Sequence, residues 1–324
     1  MRTHRYLIVL VILSIIALVF SQAAMAHPGE EAFVKMANDK YGLDPVYVKK
    51  VLKEAQKKQK IIDTMTRPAE GKPWHQYRPI FVTAKRIEAG RKFITEHKEL
   101  LLRAEAETGV DPSVIAAIIG VETYFGTRTG SWRVIDALAT LGFYYPKRAK
   151  FFKKELAEFL LMCQEEGFEP AEMKGSYAGA MGWGQFMPSS YRMYAIDFNG
   201  DTQRDLWFSV EDVVGSVANY LKRHHWQRGG GLVVKARETN KNHIVADGGL
   251  KPEYTISDFN GWGYEAESAL DAAEKISLIE LVQENRTDYW FGRHNFYVIT
   301  RYNHSSMYAM AVTQLAEEYR SEFE

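Results

Sequence analysis

The stretch Asp111-Pro-Ser-Val-Ile115-Ala-Ala-Ile118-Ile119-Gly-Val-Glu122-Thr-Tyr-Phe-Gly126 decides the reading of this chain. Asp111 followed by proline is a helix start: the aspartate side chain can accept an orphan backbone N–H, and proline at the first helical position forfeits no bond. Ile115, Ile118 and Ile119 recur at helical spacing and mark an apolar stripe. Glu122 stands seven residues after Ile115, so it falls on the same stripe. A carboxylate placed there loses hydration, and its pKa is expected to rise. A glutamic acid still protonated near neutral pH is what general-acid cleavage of a glycosidic bond requires. The alternative at this stage is a buried glutamate paired with an arginine, such as Arg128 or Arg133. Gly126 and Gly130 are expected to end the helix and leave room beside it for a ligand.

Around this helix the chain is ordinary globular material, 324 residues with 46% apolar and 25% charged. That length suits a core with one or two smaller lobes. Lysine plus arginine and aspartate plus glutamate stand at 41 each, which argues against a general nucleic-acid binder. Aromatics at 13% serve a sugar-binding groove and a large core equally well. The one cysteine, Cys163, allows no intramolecular disulfide. It shares a helix face with Phe152, Leu156 and Phe159 and reads as a buried, inert thiol.

Arg2 and Arg5 precede an apolar run from Leu7 to Phe20, and Ala24-Met25-Ala26 has the small-x-small pattern of a processing site. Residues 1–26 therefore read as a secretory signal, with a retained anchor as the alternative. The run is short for a membrane span of about 20 residues. With no cysteine beside the processing site, lipid attachment there is not expected, and the product is expected to be periplasmic with no membrane span. Export removes easy access to nucleotide cofactors, and no glycine-rich phosphate loop follows a strand.

The fold class expected is mainly α, with a small β part. Residues 27–110 give helices over 27–65 and 84–108. An extended aromatic connector at 66–80, with Pro68, Pro73, Trp74, Tyr77 and Pro79, joins them. Residues 111–227 hold the Asp111 helix, a helix from Lys150 to Glu166 closed near Gly167, a Gly/Ser-rich loop at 175–190 and a helix from Asp212 to His224. Residues 228–262, with Gly229–Gly231, Leu232-Val-Val and later Asn, Gly and Pro punctuation, read as a small β-rich insertion. Residues 263–324 are expected to return to the core through a helix from Leu270 to Glu284, a β-prone run from Phe296 to Thr300, and a last helix starting at Ser305 with Ala309, Val312 and Ala316 inward.

Four segments carry a resemblance. Ile118-Ile-Gly-Val-Glu122-Thr-Tyr-Phe-Gly126, Arg133-Val-Ile-Asp-Ala-Leu-Ala-Thr-Leu141, Gly175-Ser-Tyr-Ala-Gly-Ala-Met-Gly-Trp-Gly-Gln-Phe-Met-Pro-Ser-Ser-Tyr191 and Arg301-Tyr-Asn-His-Ser-Ser-Met-Tyr-Ala-Met310 together resemble the lytic murein transglycosylases of the B type. The likeness runs from about Trp74 to about Leu315 and is weak across 228–290. It implies a lysozyme-like core with an added helical lobe and a small β lobe. It implies cleavage of the β-1,4 bond between N-acetylmuramic acid and N-acetylglucosamine in peptidoglycan glycan strands, leaving 1,6-anhydromuramoyl ends. Glu122 would act first as acid and then as base. By motif match, Ser176 and Gln185 would hydrogen-bond near the acid and the substrate acetamide, Tyr220 would point at Glu122, and Asn303 and Tyr308 would close the groove around the muramic unit. Tyr77 would line the distal groove and Arg148 would meet the carboxylates of the peptide stem. No protein partner is implied.

Asp197-Phe-Asn199-Gly-Asp201-Thr-Gln203-Arg-Asp205 sets side-chain oxygens at alternate positions, the first half of an EF-hand loop. Its sixth position is Thr202, where glycine normally allows the sharp turn, and its twelfth is Phe208 rather than an acid. The family resembled has a longer loop, which implies a structural calcium ion on Asp197, Asn199, Asp201, the Gln203 carbonyl and Asp212, with Glu211 the alternative last ligand. A metal-free turn of Asx residues is the competing reading. For the chemistry, a water-using hydrolase competes; it calls for a second carboxylate facing Glu122, and Asp136 is the nearest candidate in sequence. A non-catalytic wall-binding protein is the third reading.

Overall fold

The computed structural model describes residues 26–66, 71–240 and 249–324; the expected signal, Pro68 and part of the expected insertion lie outside the described residues. In chain order the helices open with α1 (Glu30–Tyr41), α2 (Pro45–Glu54), α3 (Gln59–Met65), α4 (Trp74–Phe81), α5 (Ala84–Thr108) and α6 (Pro112–Thr123). A two-residue strand β1 (Trp132–Arg133) leads into α7 (Val134–Tyr144), a 3-10 turn (Pro146–Arg148) and α8 (Ala149–Glu166). Then come β2 (Lys174–Gly175), α9 (Pro188–Tyr194), α10 (Val210–Arg223), β3 (Val233–Glu238), α11 (Ile256–Gly261), β4 (Tyr264–Ala266), β5 (Ser277–Val282) and β6 (Thr287–Gly292). Helices α12 (His294–Tyr302) and α13 (Ser306–Glu317) and a terminal 3-10 turn (Arg320–Glu322) finish the chain.

The helix starts follow the sequence signals. Asp44 and Asp111 each accept the N–H two residues on, at 3.1 Å from Val46 and 2.9 Å from Ser113, with proline at the first helical position. α6 is buried on every turn and packs against α5, α10 and α13. α7 and α8 form the second central pair, over which α1, α2 and α3 lie as a lobe: α1 packs on α2 and α8, and α3 on α7. Cys163 is buried in this core with Phe152, Leu156 and Phe159.

The short β1–β2 pair sets Trp132 opposite Gly175 and Arg133 opposite Lys174. The larger sheet is antiparallel in the order β4-β3-β6-β5 and closes on its own small cluster of Phe259, Tyr264, Ile276 and Phe291. It draws in residues well beyond 262, up to Gly292. Three sequence expectations change here. The helix expected over Leu270–Glu284 is instead strand β5, because Ile279-Glu280-Leu281-Val282 alternates buried and exposed against β6. The β-prone run Phe296–Thr300 is helical within α12: its β-branched side chains are buried, and tertiary packing outweighs their weak preference for strand. The connector at 66–80 contains helix α4. Trp74 is 1% exposed, and Tyr77 and Phe81 meet one turn apart at 5.1 Å, so aromatic packing holds a short helix despite Pro79 within it.

Candidate active site

α6 ends sooner than its glycines suggest. Tyr124 and Phe125 both take left-handed φ, 52° and 55°, and Tyr124 N–H returns to Gly120 O. Two non-glycine residues in that conformation are strained, and only Thr123 separates them from Glu122. Gly130 serves a close approach rather than the helix end. A Cβ on it would lie 2.1 Å from Gly175 O, so only glycine lets the segment after α6 touch the 175–187 loop. Thr123 bolts the same contact from the helix side, its hydroxyl donating to Trp183 O at 2.9 Å.

Glu122 itself is half-buried. Among the described residues it forms no ion pair; Arg133 is taken by Asp136 at 2.7 Å and Arg128 lies over the Tyr124 ring. Its side-chain partner is Tyr308, whose hydroxyl donates to Oε1 at 2.6 Å from the first turn of α13. Burial pushes the Glu122 pKa up to about 7, against that hydrogen bond, which favours the charged form. Burial likewise raises the phenols of Tyr77, Tyr302 and Tyr308, and the Glu122 charge adds to each. Three tyrosines from α4, α12 and α13 thus surround one carboxyl that is neither fully solvated nor paired.

Of the other expected residues, Ser176 and Gln185 shape the loop facing this helix end. The Ser176 hydroxyl accepts N–H from Ala178 at 3.3 Å and Ala180 at 3.0 Å. Gln185, at φ 50°, donates from Nε2 to Thr129 O at 3.1 Å and Gly182 O at 3.0 Å. Asn303 is exposed just past the end of α12. Tyr220 differs from expectation: its hydroxyl is directed to Arg301 O, and its ring packs among Phe186, Tyr194, His224 and Tyr302. The role of pointing at Glu122 falls to Tyr308 instead. Arg148 lies on the 3-10 turn, its guanidinium 4.4 Å over the Phe151 ring, in a groove lined by α1 and α8 residues. Sequence reasoning misses Tyr302. It donates to Gly184 O at 2.6 Å and ties α12 to the loop; its place directly before Asn303 in the Arg301–Met310 motif is the available signal.

The acidic loop is held by its own side chains. Asp197 accepts N–H from Gly200, Asp201 and Thr202, and Asp201 accepts from Gln203 N–H and the Asn199 amide. Thr202 takes the left-handed turn, φ 77°, which glycine normally supplies. Asp197, Asn199, Asp201 and the Gln203 carbonyl fit a hard cation by donor type. Asp212 does not fit: it is fully buried, and its two oxygens are taken by N–H groups of Phe198, Asn199 and Asp205, while Glu211 beside it is exposed. Among the described residues no group of three or more His, Cys, Asp or Glu side chains is gathered for a metal.

A helical core with one half-buried, proton-holding carboxyl at a helix end and an open, loop-lined side is the layout of a lysozyme-like enzyme that breaks glycosidic bonds. Residues 26–317 match the family model described as Transglycosylase SLT domain, and the chain belongs to the lytic murein transglycosylases of the B type. It is 40% identical over 301 residues to membrane-bound lytic murein transglycosylase B of Escherichia coli (strain K12), across 90% of this chain and 82% of that one. The crystal structure of soluble lytic transglycosylase SltB1 from Pseudomonas aeruginosa matches with a TM-score of 0.86 at 44% identity, over 92% of this chain and 100% of that one. The Escherichia coli lytic transglycosylase Slt35, solved in complex with calcium, matches with a TM-score of 0.83 at 40% identity, over 92% and 94%.

Proposed function

We propose that this chain cleaves the N-acetylmuramic acid–β-1,4–N-acetylglucosamine bond of peptidoglycan glycan strands and leaves 1,6-anhydromuramoyl ends, with Glu122 as the only catalytic carboxyl. The observation that carries the reading is a carboxyl with pKa about 7, one oxygen held by Tyr308 and no counter-ion among the described residues. With Oε1 engaged, the proton resides on Oε2 and passes to the bridging glycosidic oxygen as the bond to C1 breaks. The substrate acetamide stabilises the cation that develops. The carboxylate then removes the C6 hydroxyl proton as that oxygen closes on C1, so no water is consumed. A group near pH 7 serves both steps, because neither its acid nor its base form is scarce.

A hydrolytic pair needs a second carboxylate across the cleft, about 5–9.5 Å away. Asp136 is engaged elsewhere, in a fork with Arg133 and a bond from Gln56 N–H, which favours the one-carboxyl route. Digestion of purified peptidoglycan followed by mass spectrometry tests the reading. Anhydro ends, lighter than reducing ends by one water and absent with Glu122→Gln, are expected; reducing muramic ends sink it.

The working site is periplasmic, where the expected leader would deliver the chain and where this substrate lies; the relative's membrane-bound designation is compatible with that. The loop at 197–205 is read as a structural calcium site held by Asp197, Asn199, Asp201 and the Gln203 carbonyl, supported by the calcium complex of Slt35. A bound cation would brace the loop in front of α10 and supply no chemistry. Asp212 would act one layer behind, holding the loop's amides.

A further inference from the structure

A groove of about 930 Å³ lies away from Glu122, between α1, the 3-10 turn and α8. Six cations line it: Lys40, Lys147, Arg148, Lys150, Lys153 and Lys154, with no acid among its lining residues. The ion pairs of the described residues involve none of these six; they join other cations to other acids, as Arg192 with Glu165 and Arg204 with Glu166. Lys154 feels the buried Glu155 carboxyl beside it, but cations clustered without ion pairs still repel one another, so such a patch is a standing cost unless an anion sits on it. Its floor is apolar, with Met36 and Phe151 half-buried and Arg148 stacked over Phe151. The groove is therefore suited to an amphiphile that brings negative charge and hydrocarbon together.

The start of the described chain points to which amphiphile. His27 shares a neighbour with one of the groove's cations: its ring stacks on Phe143 at 4.8 Å and Nδ1 meets the Tyr144 hydroxyl at 3.0 Å, while Lys153 stands 5.2 Å from the same Phe143 ring. In the sequence, the apolar run Leu7–Phe20 ends only a few residues before His27. The expected leader sits in a bilayer until it is cut after Ala26, so the chain's new start at His27, close to these cations, is released at a membrane surface. Cys163, the one cysteine, is buried and offers no lipid anchor.

We propose that this groove is a peripheral docking surface for an anionic phospholipid bilayer, which lays the phosphate headgroups against the lysines and holds the enzyme at a membrane. A short stem peptide would use the cations and leave the apolar floor idle. Each lysine or arginine near an anionic leaflet adds attraction that decays within a Debye length, so the binding falls steeply with salt.

The test uses protein beginning at residue 26, where the described fold starts, and co-sedimentation with vesicles of phosphatidylcholine alone or with phosphatidylglycerol added. Binding to the anionic vesicles only, weakened by salt, is expected. Lys147→Glu with Lys150→Glu and Lys154→Glu should lower it at least tenfold. A control with the same change in net charge elsewhere, Lys85→Glu with Lys92→Glu and Arg223→Glu, should lower it less than threefold. Circular dichroism and cleavage of soluble glycan confirm that both variants fold. No binding of the parent protein, equal binding by the two variants, or a groove variant that loses only co-sedimentation with peptidoglycan overturns the proposal, and none of these outcomes touches the assignment of Glu122.

Discussion

Glu122 and Asp136 stand fourteen residues apart, both drawn out of water in the same helical core, and they show two ways to keep an acid there. Asp136 is 2% exposed and satisfied on all sides: Arg133 grips both oxygens, Gln56 N–H donates at 2.8 Å, and Lys58 stands at 3.7 Å. It fastens the segment after α2 to the start of α7. Glu122 has one phenol and an open side. A buried acid surrounded by donors is a structural joint, whereas one left short of donors holds its proton and becomes reactive.

The contrast is tested first by removing each charge. Glu122→Gln should reduce glycan cleavage by roughly 10³-fold or more, read as release of soluble muropeptides. The same variant should be more stable than the parent in alkali. A carboxyl whose folded pKa lies above its unfolded value binds the proton more tightly when folded. Its contribution to stability is full below pH 4.5 and is lost as pH rises through about 7. At pH 8 the substitution should therefore gain up to roughly 3 kcal/mol in denaturant unfolding, and the gain should vanish by about pH 4. Asp136→Asn should go the other way, losing about 3–5 kcal/mol because Arg133 is left without a counter-charge and one of the two accepting oxygens becomes an NH2 donor facing it. Its cleavage rate per folded molecule should stay within about threefold of the parent. Parallel stability changes in the two variants would break the comparison.

Tyr308→Phe sharpens it on the reactive side. The phenol stabilises the charged form of Glu122, so its loss should move the alkaline limb of the pH–rate profile up by about one to two units. The rate at pH 6 should fall about 10–100-fold as the carboxyl loses its fixed orientation. A fall in rate with an unmoved limb would mean that Tyr308 touches substrate rather than the acid.

The acid is legible in the sequence because its signal is local: a capped start, an isoleucine stripe, and a carboxyl two turns on. Helices α5, α8 and α13 are readable for the same reason. What escapes depends on partners far along the chain. β5 reads as helical until Ile279 and Leu281 meet β6, and α12 reads as strand until Val298 and Ile299 are buried. The left-handed turn at Tyr124 and Phe125 has no glycine to announce it. The near shell of Glu122 is half legible: the motifs single out Tyr77 and Tyr308, for the distal groove and the muramic unit, and both stand beside the acid instead, while nothing local says which way Tyr220 turns its hydroxyl.

That orientation yields the smallest effect. Tyr220 belongs to the same aromatic wall as Tyr302, 4.7 Å between ring centroids, but its hydroxyl is spent on Arg301 O at the end of α12. Tyr220→Phe keeps the ring and leaves one carbonyl, near solvent, to find water. Stability should fall by about 1 kcal/mol. Cleavage should change by less than about threefold, with the alkaline limb in place, because no proton of Tyr220 reaches Glu122. A loss near that of Tyr308→Phe would instead mean that the Tyr220 hydroxyl leaves Arg301 when glycan binds, and the division of labour between the two tyrosines would have to be redrawn.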